Sequence, residues 1–451
     1  MKKIVFNKNI KPIYIFFHEK DIPSELKFSK GNEINFPKNF IFEKNGKILV
    51  FLNQINNLNK LQKNYYLIVV GEKLYKFCKS GRYKLSFFGD KSLRESNVLL
   101  GWKLASYRFQ KFKISKKPRV EKDLFHKSSD EVKKESECYF FIRDLINLPA
   151  NILGPKEIFS NAKSFLKGAS SKLVSGKMLK KNFPLISAVG QGSSKKNQPL
   201  FCEFKFKRKS KRKIIIIGKG VSFDTGGLNL KTGSGMSLMK KDMGGAANSI
   251  GLAKLININE TDVDLRLFLC LVENSISQNS IRPSDIYKSR DGKYVEVGDT
   301  DAEGRLILAD ALTYASEQKP DLIINLATLT GASRVALGTD VPSFFSNDDS
   351  LAMELIDASQ EVGDPLWQLP LWDGYKSQLS SMHADIKNIG NSMFGGAITA
   401  ALFLSSFVKS SIPWIHVDLM AWSKSNKFSN YDGGEAMGIR AISNLIKKRF
   451  I

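Results

Sequence analysis

Three acids stand at every second position in VEVGDTDAEGRLILADAL, residues 295–312: Asp299, Asp301 and Glu303. Gly304, Arg305 and an apolar pattern of helical period follow. Side chains two apart share one side of an extended segment, so Asp301 and Glu303 can face one point. Placed just before a helix, they also meet its positive end. An N-terminal cap by Thr300 or Asp301 accounts for one acid. It does not account for three, nor for Asp224 and Asp242 in a second unusual segment. Four carboxylates drawn together without a cation would each meet like-charge repulsion and desolvation. Two divalent ions, at the ~3.5–4 Å spacing of paired-metal hydrolases, would relieve both. The chemistry open to these residues is metal-assisted hydrolysis, of a peptide or of a phosphate ester.

The second segment, IGKGVSFDTGGLNLKTGSGMSLMKKDMGGAA, covers residues 217–247. Lys219 and Asp224 follow an apolar run, Lys231 comes seven residues after Asp224, and Asp242 opens the next helical pattern. The glycines suggest a phosphate loop, but two signatures fail. Gly220 follows Lys219 where a Walker motif needs Ser or Thr, and Phe223 stands where a dinucleotide fingerprint needs its third glycine. The four cysteines form no CxxC pair and the four histidines no HxxxH pair. Any ion is therefore held mainly by carboxylates, and oxygen donors taken alone suit magnesium or manganese. His383 and His416 read as structural.

The elements that position these residues alternate. KIIIIGKG (213–220), DVDLRLFLCLVEN, DLIINLATLTG and WIHVDLMAW read as strands. GGAANSIGLAKLI, EGRLILADALTYASEQ and AITAALFLSSFV read as the helices between them. This α/β alternation predicts a catalytic α/β/α domain with a mainly parallel central sheet. Ligands in such folds bind at the carboxyl ends of strands, where the acids cluster. Residues 1–125 read as an N-terminal α/β domain, with KILVFL (47–52) and YYLIVVG (65–71) as β-rich runs and SLRESNVLLGWKLASYRF as a helix. Residues 126–137 read as a linker and 138–451 as the catalytic domain. The basic run FKFKRKSKRK (204–213) reads as an exposed hairpin.

A chain of 451 residues, 42% hydrophobic and 25% charged, has the composition of a soluble globular protein of two or three domains. No stretch approaches the ~20 apolar residues that span a bilayer. The opening MKKIVFNKNIKPIYIFF is broken by Asn7, Lys8, Asn9 and Lys11, and no cleavage site follows. Dispersed cysteines fit a reducing cytoplasm. Net charge is +25, and residues 1–140 hold 30 Lys and Arg against 14 Asp and Glu. That basic third admits a second reading, a DNA-binding architectural protein. The scatter of the lysines favours a simple compositional bias.

The segments GKGVSFDTGGLNLK, MKKDMGGAA and DTDAEGRL resemble the signatures of the leucyl aminopeptidase family, the cytosol aminopeptidases. NLPANILGP, NLATLTGA, DPLWQLPLW, ADIKNIG, GGAITAALFL and WIHVDLMAW extend the resemblance over about residues 140–447. What the resemblance implies is an enzyme that hydrolyses the N-terminal residue, leucine or another apolar one, from peptides. It implies two metal ions, zinc or manganese. Lys219, Asp224, Asp242 and Glu303 would surround one, and Asp224, Asp301 and Glu303 the other. Lys231 would be the catalytic lysine near the scissile carbonyl, and Arg305 would hold a bicarbonate that serves as general base. Met239, Thr328 and Ala421 match the substrate pocket. The family's assembly is a homo-hexamer of two stacked trimers. One departure stands out: Asp299 replaces the family's usual Asn.

Overall fold

The computed structural model describes residues 10–17, 40–44, 46–52, 55, 57–114, 121–206, 208, 210–424 and 432–450. The opening residues through Asn9, His18 and residues 115–120 lie outside them. The chain forms two compact units. One comprises Met1–Phe140 with Ser359–Asp364 and Ser425–Tyr431, and the other holds the remaining residues.

The first unit carries strands β1 (Ile10–Phe16), β2 (Phe40–Lys44), β3 (Lys47–Phe51), β4 (Gly81–Phe88) and β5 (Lys122–Phe125), in the spatial order β2-β3-β1-β4-β5. Only β2 pairs antiparallel, at one edge. Helices Lys60–Phe77 and Ser96–Ala105 pack together through two glycines. A β-carbon on Gly71 would lie 1.9 Å from the Val98 carbonyl oxygen, and one on Gly101 1.8 Å from that of Ile68. Any larger residue would force the helices apart. The run YYLIVVG, read as β-rich, lies inside the first of these helices. Its start is fixed by a capping box between Asn59 and Gln62, and burial of Leu67, Ile68 and Val70 outweighs their local preference.

The expected linker at 126–137 is also corrected. A helix begins at Ser129 and continues to Asn147. Asp130 and Glu131 favour its positive end. Val132, Glu135, Ser136 and Cys138 are buried, so Glu131, Lys133, Lys134 and Glu137, which suggest a linker, are the solvated face of an amphipathic helix.

The second unit is built on β6 (Ser170–Ser175), β7 (Leu200–Lys205), β8 (Lys213–Asp224), β9 (Asp264–Asn274), β10 (Ile286–Lys288) and β11 (Tyr294–Glu296). After these come β12 (Leu322–Ala327), β13 (Ser343–Ser346), β14 (Trp367–Gln368), β15 (Ile386–Lys387) and β16 (Trp414–Asp418). The large sheet has the order β14-β13-β16-β12-β8-β9-β7-β6. Its four central strands, β16-β12-β8-β9, are parallel, and antiparallel strands flank them. Ile214–Ile217 of β8 are fully buried, as expected of a strand covered on both faces. Ile215, Ile217 and Val221 share a core with helices Glu303–Glu317 and Gly396–Ser405. Helices Gly244–Ile258 and Ile439–Arg449 pack on the opposite face. Close approach there needs glycine: a β-carbon on Gly245 would lie 2.4 Å from the Leu326 carbonyl oxygen. The basic run 204–213 is not a hairpin. It joins β7 to β8, and each pairs with β9 rather than with the other.

Candidate metal centre and active site

The site gathers at the carboxyl ends of the central strands. β8 carries Lys219 and ends at Asp224, with its register broken between Val221 and Asp224. Asp242 lies in the 3-10 turn Met239–Met243 that enters helix Gly244–Ile258. Glu303 is the first residue of helix Glu303–Glu317, and Asp301 lies two residues before it.

Asp224, Asp242 and Glu303 are buried and offer oxygens that all lie within 4.8 Å of one another. The Lys219 ammonium is 2.9 Å from Asp242 Oδ2 and 2.9 Å from Glu303 Oε1, and it donates to the Thr328 carbonyl at 3.0 Å. Lys231 Nζ is 2.9 Å from Asp224 Oδ2 and also pairs with Asp301. Asp224 Oδ1 accepts from the Gly226 N–H at 2.9 Å and from Asn274 Nδ2 at 2.8 Å. Thr328 Oγ1 donates to Asp242 Oδ1 at 2.6 Å.

These carboxylates repel one another, and the protonation pattern records it. Burial and the neighbouring Asp224 push the Glu303 carboxyl well above its ordinary value. The same two causes lift Asp301 to about 6, against the pull of Lys231. Burial alone would lower both lysines, but Asp242, Glu303 and Asp224 hold Lys219 above the usual range, and Asp224 and Asp301 do so for Lys231. Asp242 Oδ2, Asp301 Oδ1 and Glu303 Oε1 are buried and meet the two ammonium groups, Lys219 for Asp242 and Glu303 and Lys231 for Asp301. Four carboxylates set against two lysines leave an acidic pocket. That donor set fits hard or borderline divalent cations.

The remaining residues singled out from sequence fall around this cluster. Arg305 is buried, and its Nε and Nη1 have no hydrogen-bond partner among the described residues. Burial draws its guanidinium down to about 10, while Glu303, Asp299 and Asp418 favour the charged form. Thr328 and Ala421 both border Gly244: a β-carbon there would lie 3.1 Å from Thr328 Cγ2 and 2.3 Å from Ala421 Cβ. Met239 sits half-buried at the start of the turn that bears Asp242. His416 is fully buried, with Nδ1 at 2.8 Å from Asn325 Nδ2, and His383 is exposed.

Several positioning groups were not found by reading the sequence. Asn388, just beyond β15, is fully buried. Its Oδ1 accepts from the Gly298 and Asp299 N–H groups, and its Nδ2 donates to the Asp299 and Ala302 carbonyls. Asn274 donates to both Asp224 and the Thr300 carbonyl. Asn229 and Thr300 bond reciprocally. Asn388 lies in ADIKNIG and Asn274 ends an apolar strand. Neither carries a charge to mark it.

A parallel α/β sheet with buried carboxylates and lysines at its strand ends is the arrangement of a metal-dependent hydrolase. Residues 140–443 match the model of the cytosol aminopeptidase family, catalytic domain. A probable cytosol aminopeptidase of Persephonella marina is 38% identical over 376 residues, covering 79% of this chain and 75% of that protein. One from Prochlorococcus marinus is 40% identical over 370 residues, covering 79% and 75%. The crystal structure of the cytosol aminopeptidase from Coxiella burnetii superposes with a TM-score of 0.88 at 37% identity, covering 99% of this chain and 98% of that one. The bottromycin maturation enzyme BotP in complex with Mn gives 0.85 at 25% identity, covering 98% and 100%. The chain belongs to the cytosol aminopeptidase family, and this membership assigns it aminopeptidase activity.

Proposed function

We propose that the chain is a two-metal aminopeptidase that removes an N-terminal leucine or other apolar residue from peptides. The observation that carries this reading is the convergence of Asp224, Asp242 and Glu303 on one point beside Lys219, with Lys231 and Asp301 adjoining. Lys219, Asp224, Asp242, Asp301 and Glu303 would hold two divalent cations, zinc or manganese. When bound, such ions polarise a carbonyl and acidify water. Manganese in BotP supports a metal of this kind.

The chain's own residues supply the rest. Lys231, aimed by Asp224 and Asp301, offers positive charge to the oxygen that becomes negative during attack. The free N–H groups of Arg305 suit a small anion such as bicarbonate, which would accept the water's proton. Neither histidine of the second unit competes for that role: His416 is fully buried and bonded to Asn325, and His383 faces solvent. Met239, Thr328 and Ala421 would line the pocket for an apolar side chain. We place the enzyme in the cytoplasm as a homo-hexamer acting on peptides. Among the described residues, no helix is long and apolar enough to cross a membrane.

The test is hydrolysis of a chromogenic leucine amide beside a phosphate ester, with chelator and with Zn²⁺ or Mn²⁺ restored. Turnover of the amide alone, lost on chelation and regained on add-back, is the expected result. Turnover of the ester alone would replace this reading with a phosphoesterase. Salt-sensitive DNA binding without amide turnover would favour the architectural reading.

A further inference from the structure

The turn after β12 connects the metal centre to a carboxylate outside it. Asp418 ends β16 and is 2% exposed. Its Oδ1 accepts from the Leu329 N–H at 2.9 Å and the Thr330 N–H at 3.2 Å. Its Oδ2 accepts from the Thr330 N–H at 3.0 Å and the Thr330 hydroxyl at 2.6 Å. Among the described residues no lysine or arginine forms an ion pair with it, so this buried anion is held by the turn. The turn is held by it in return, because losing the carboxylate would leave buried N–H groups unpaired.

The Leu329 N–H and the Thr328 C=O belong to one peptide unit. That unit is planar and trans, so the two groups point in opposite directions. Asp418 grips the N–H side, and Lys219 Nζ donates to the carbonyl side at 3.0 Å. Rotating the plane would break both bonds together. The Thr328 hydroxyl meanwhile bonds Asp242. An amine that gives its lone pair to a cation keeps two hydrogens. If one goes to a fixed carbonyl, the direction of the lone pair is set. Gly304 removes further freedom, since Lys219 Cε crosses it too closely for any β-carbon.

We propose that Asp418 is a positioning residue of the metal centre: by fixing the Thr328–Leu329 peptide plane it aims the Lys219 amine and steadies Asp242. This rests on the two-metal reading, and it predicts that one ion depends on Asp418 far more than the other. Outer partners of ligands commonly govern about 10- to 100-fold in metal affinity.

The experiment is calorimetric titration of chelator-stripped, full-length protein with Mn²⁺, alongside thermal unfolding of the metal-free forms. The variants are Asp418→Asn, Thr330→Val and Asp310→Asn. Asp310 is an apt control. It is as deeply buried and accepts from the Leu185, Ile186 and Arg290 N–H groups, none of which belongs to the site. Wild type should bind two ions. Asp418→Asn should weaken one of them about tenfold or more and leave the other within about threefold. Thr330→Val, which removes one donor to Asp418, should weaken the same ion less. It decides the matter if Asp418→Asn does not fold. Asp310→Asn should lower the thermal midpoint with both affinities kept. Unchanged affinities in the folded Asp418 and Thr330 variants, or equal weakening of both ions, would overturn the proposal while leaving the two-metal reading intact. Wild type that binds no Mn²⁺ would overturn both.

Discussion

Lys219 Cε passes so close to Gly304 that a β-carbon on the glycine would sit 2.4 Å from it. The glycine in the first turn of helix Glu303–Glu317 is therefore the floor on which the lysine lies. Its neighbour Glu303 is one of the two acids that Lys219 bridges.

Gly304→Ala should displace Lys219 rather than unfold the protein. Overpacking of this size costs about 1–3 kcal/mol. The thermal midpoint is expected to fall by a few degrees. Leucine-amide kcat/KM is expected to fall by about 100-fold or more, since small misplacements near reacting groups act strongly. Paired kinetic and unfolding measurements check this, and undiminished activity would remove Gly304 from the site's architecture.

Asp299 uses its Oδ1 to accept the Asp301 N–H at 2.8 Å. An asparagine oxygen can repeat that bond, so Asp299→Asn should keep the loop. It removes a negative charge that raises Asp301 and favours charged Arg305. Calorimetry should show divalent ions bound about three- to tenfold more weakly, on the order of 1 kcal/mol for one partly exposed charge. Activity should persist with an altered metal or pH profile.

Arg305 has buried N–H groups without partners, so Arg305→Met should leave stability level or raised. Turnover should nonetheless fall by about 100-fold or more, as for loss of proton transfer. Added bicarbonate should stimulate wild type and not the variant. Equal stimulation of both would take Arg305 out of that role.

His416 gives a pH prediction whose sign is determined. Trp414 Nε1 can only donate, and it donates to Asn325 Oδ1 at 2.8 Å. The amide nitrogen of Asn325 therefore donates to His416 Nδ1, and the ring is neutral with its proton on Nε2. Burial drives its pKa down to about 3, with Arg305 adding to the effect. The unfolded ring takes up a proton near pH ~6.5, far above the folded one. Its contribution to stability is complete above that pH and is lost as pH falls toward 3. Between pH ~7.5 and ~5 the loss is about 2 kcal/mol. Urea unfolding should show this slope in wild type and its disappearance in His416→Gln. The comparison with the variant matters because Glu303, Asp301 and Asp310, all raised by burial, act with the opposite sign in metal-free protein.

The α/β class, the four strands and three helices read from Lys213 onward and the crowding of acids were legible because each is a local property. Buried parallel strands read as continuous apolar runs, helices as periodic ones, and crowded acids imply a cation. Local reading failed where a local property was misleading. YYLIVVG has the composition of a strand, yet a capping box and a buried face make it helical. Residues 129–137 have the composition of a linker, yet they belong to an amphipathic helix with Val132, Glu135 and Ser136 buried.

The sequence by itself determined which side chains could ligate, donate or repel, because charge and donor type belong to the residue. Only the tertiary structure decided which of them meet. Asn388 binds a loop 86 to 90 residues away, and Asp418 binds a turn 88 or 89 residues away. Asn388 acts on backbone N–H and C=O groups, and Asp418 on backbone N–H groups and one hydroxyl. Every residue except proline carries both backbone groups, so no pattern in the sequence marks them. Their use is set by where the sheet brings the strand ends together.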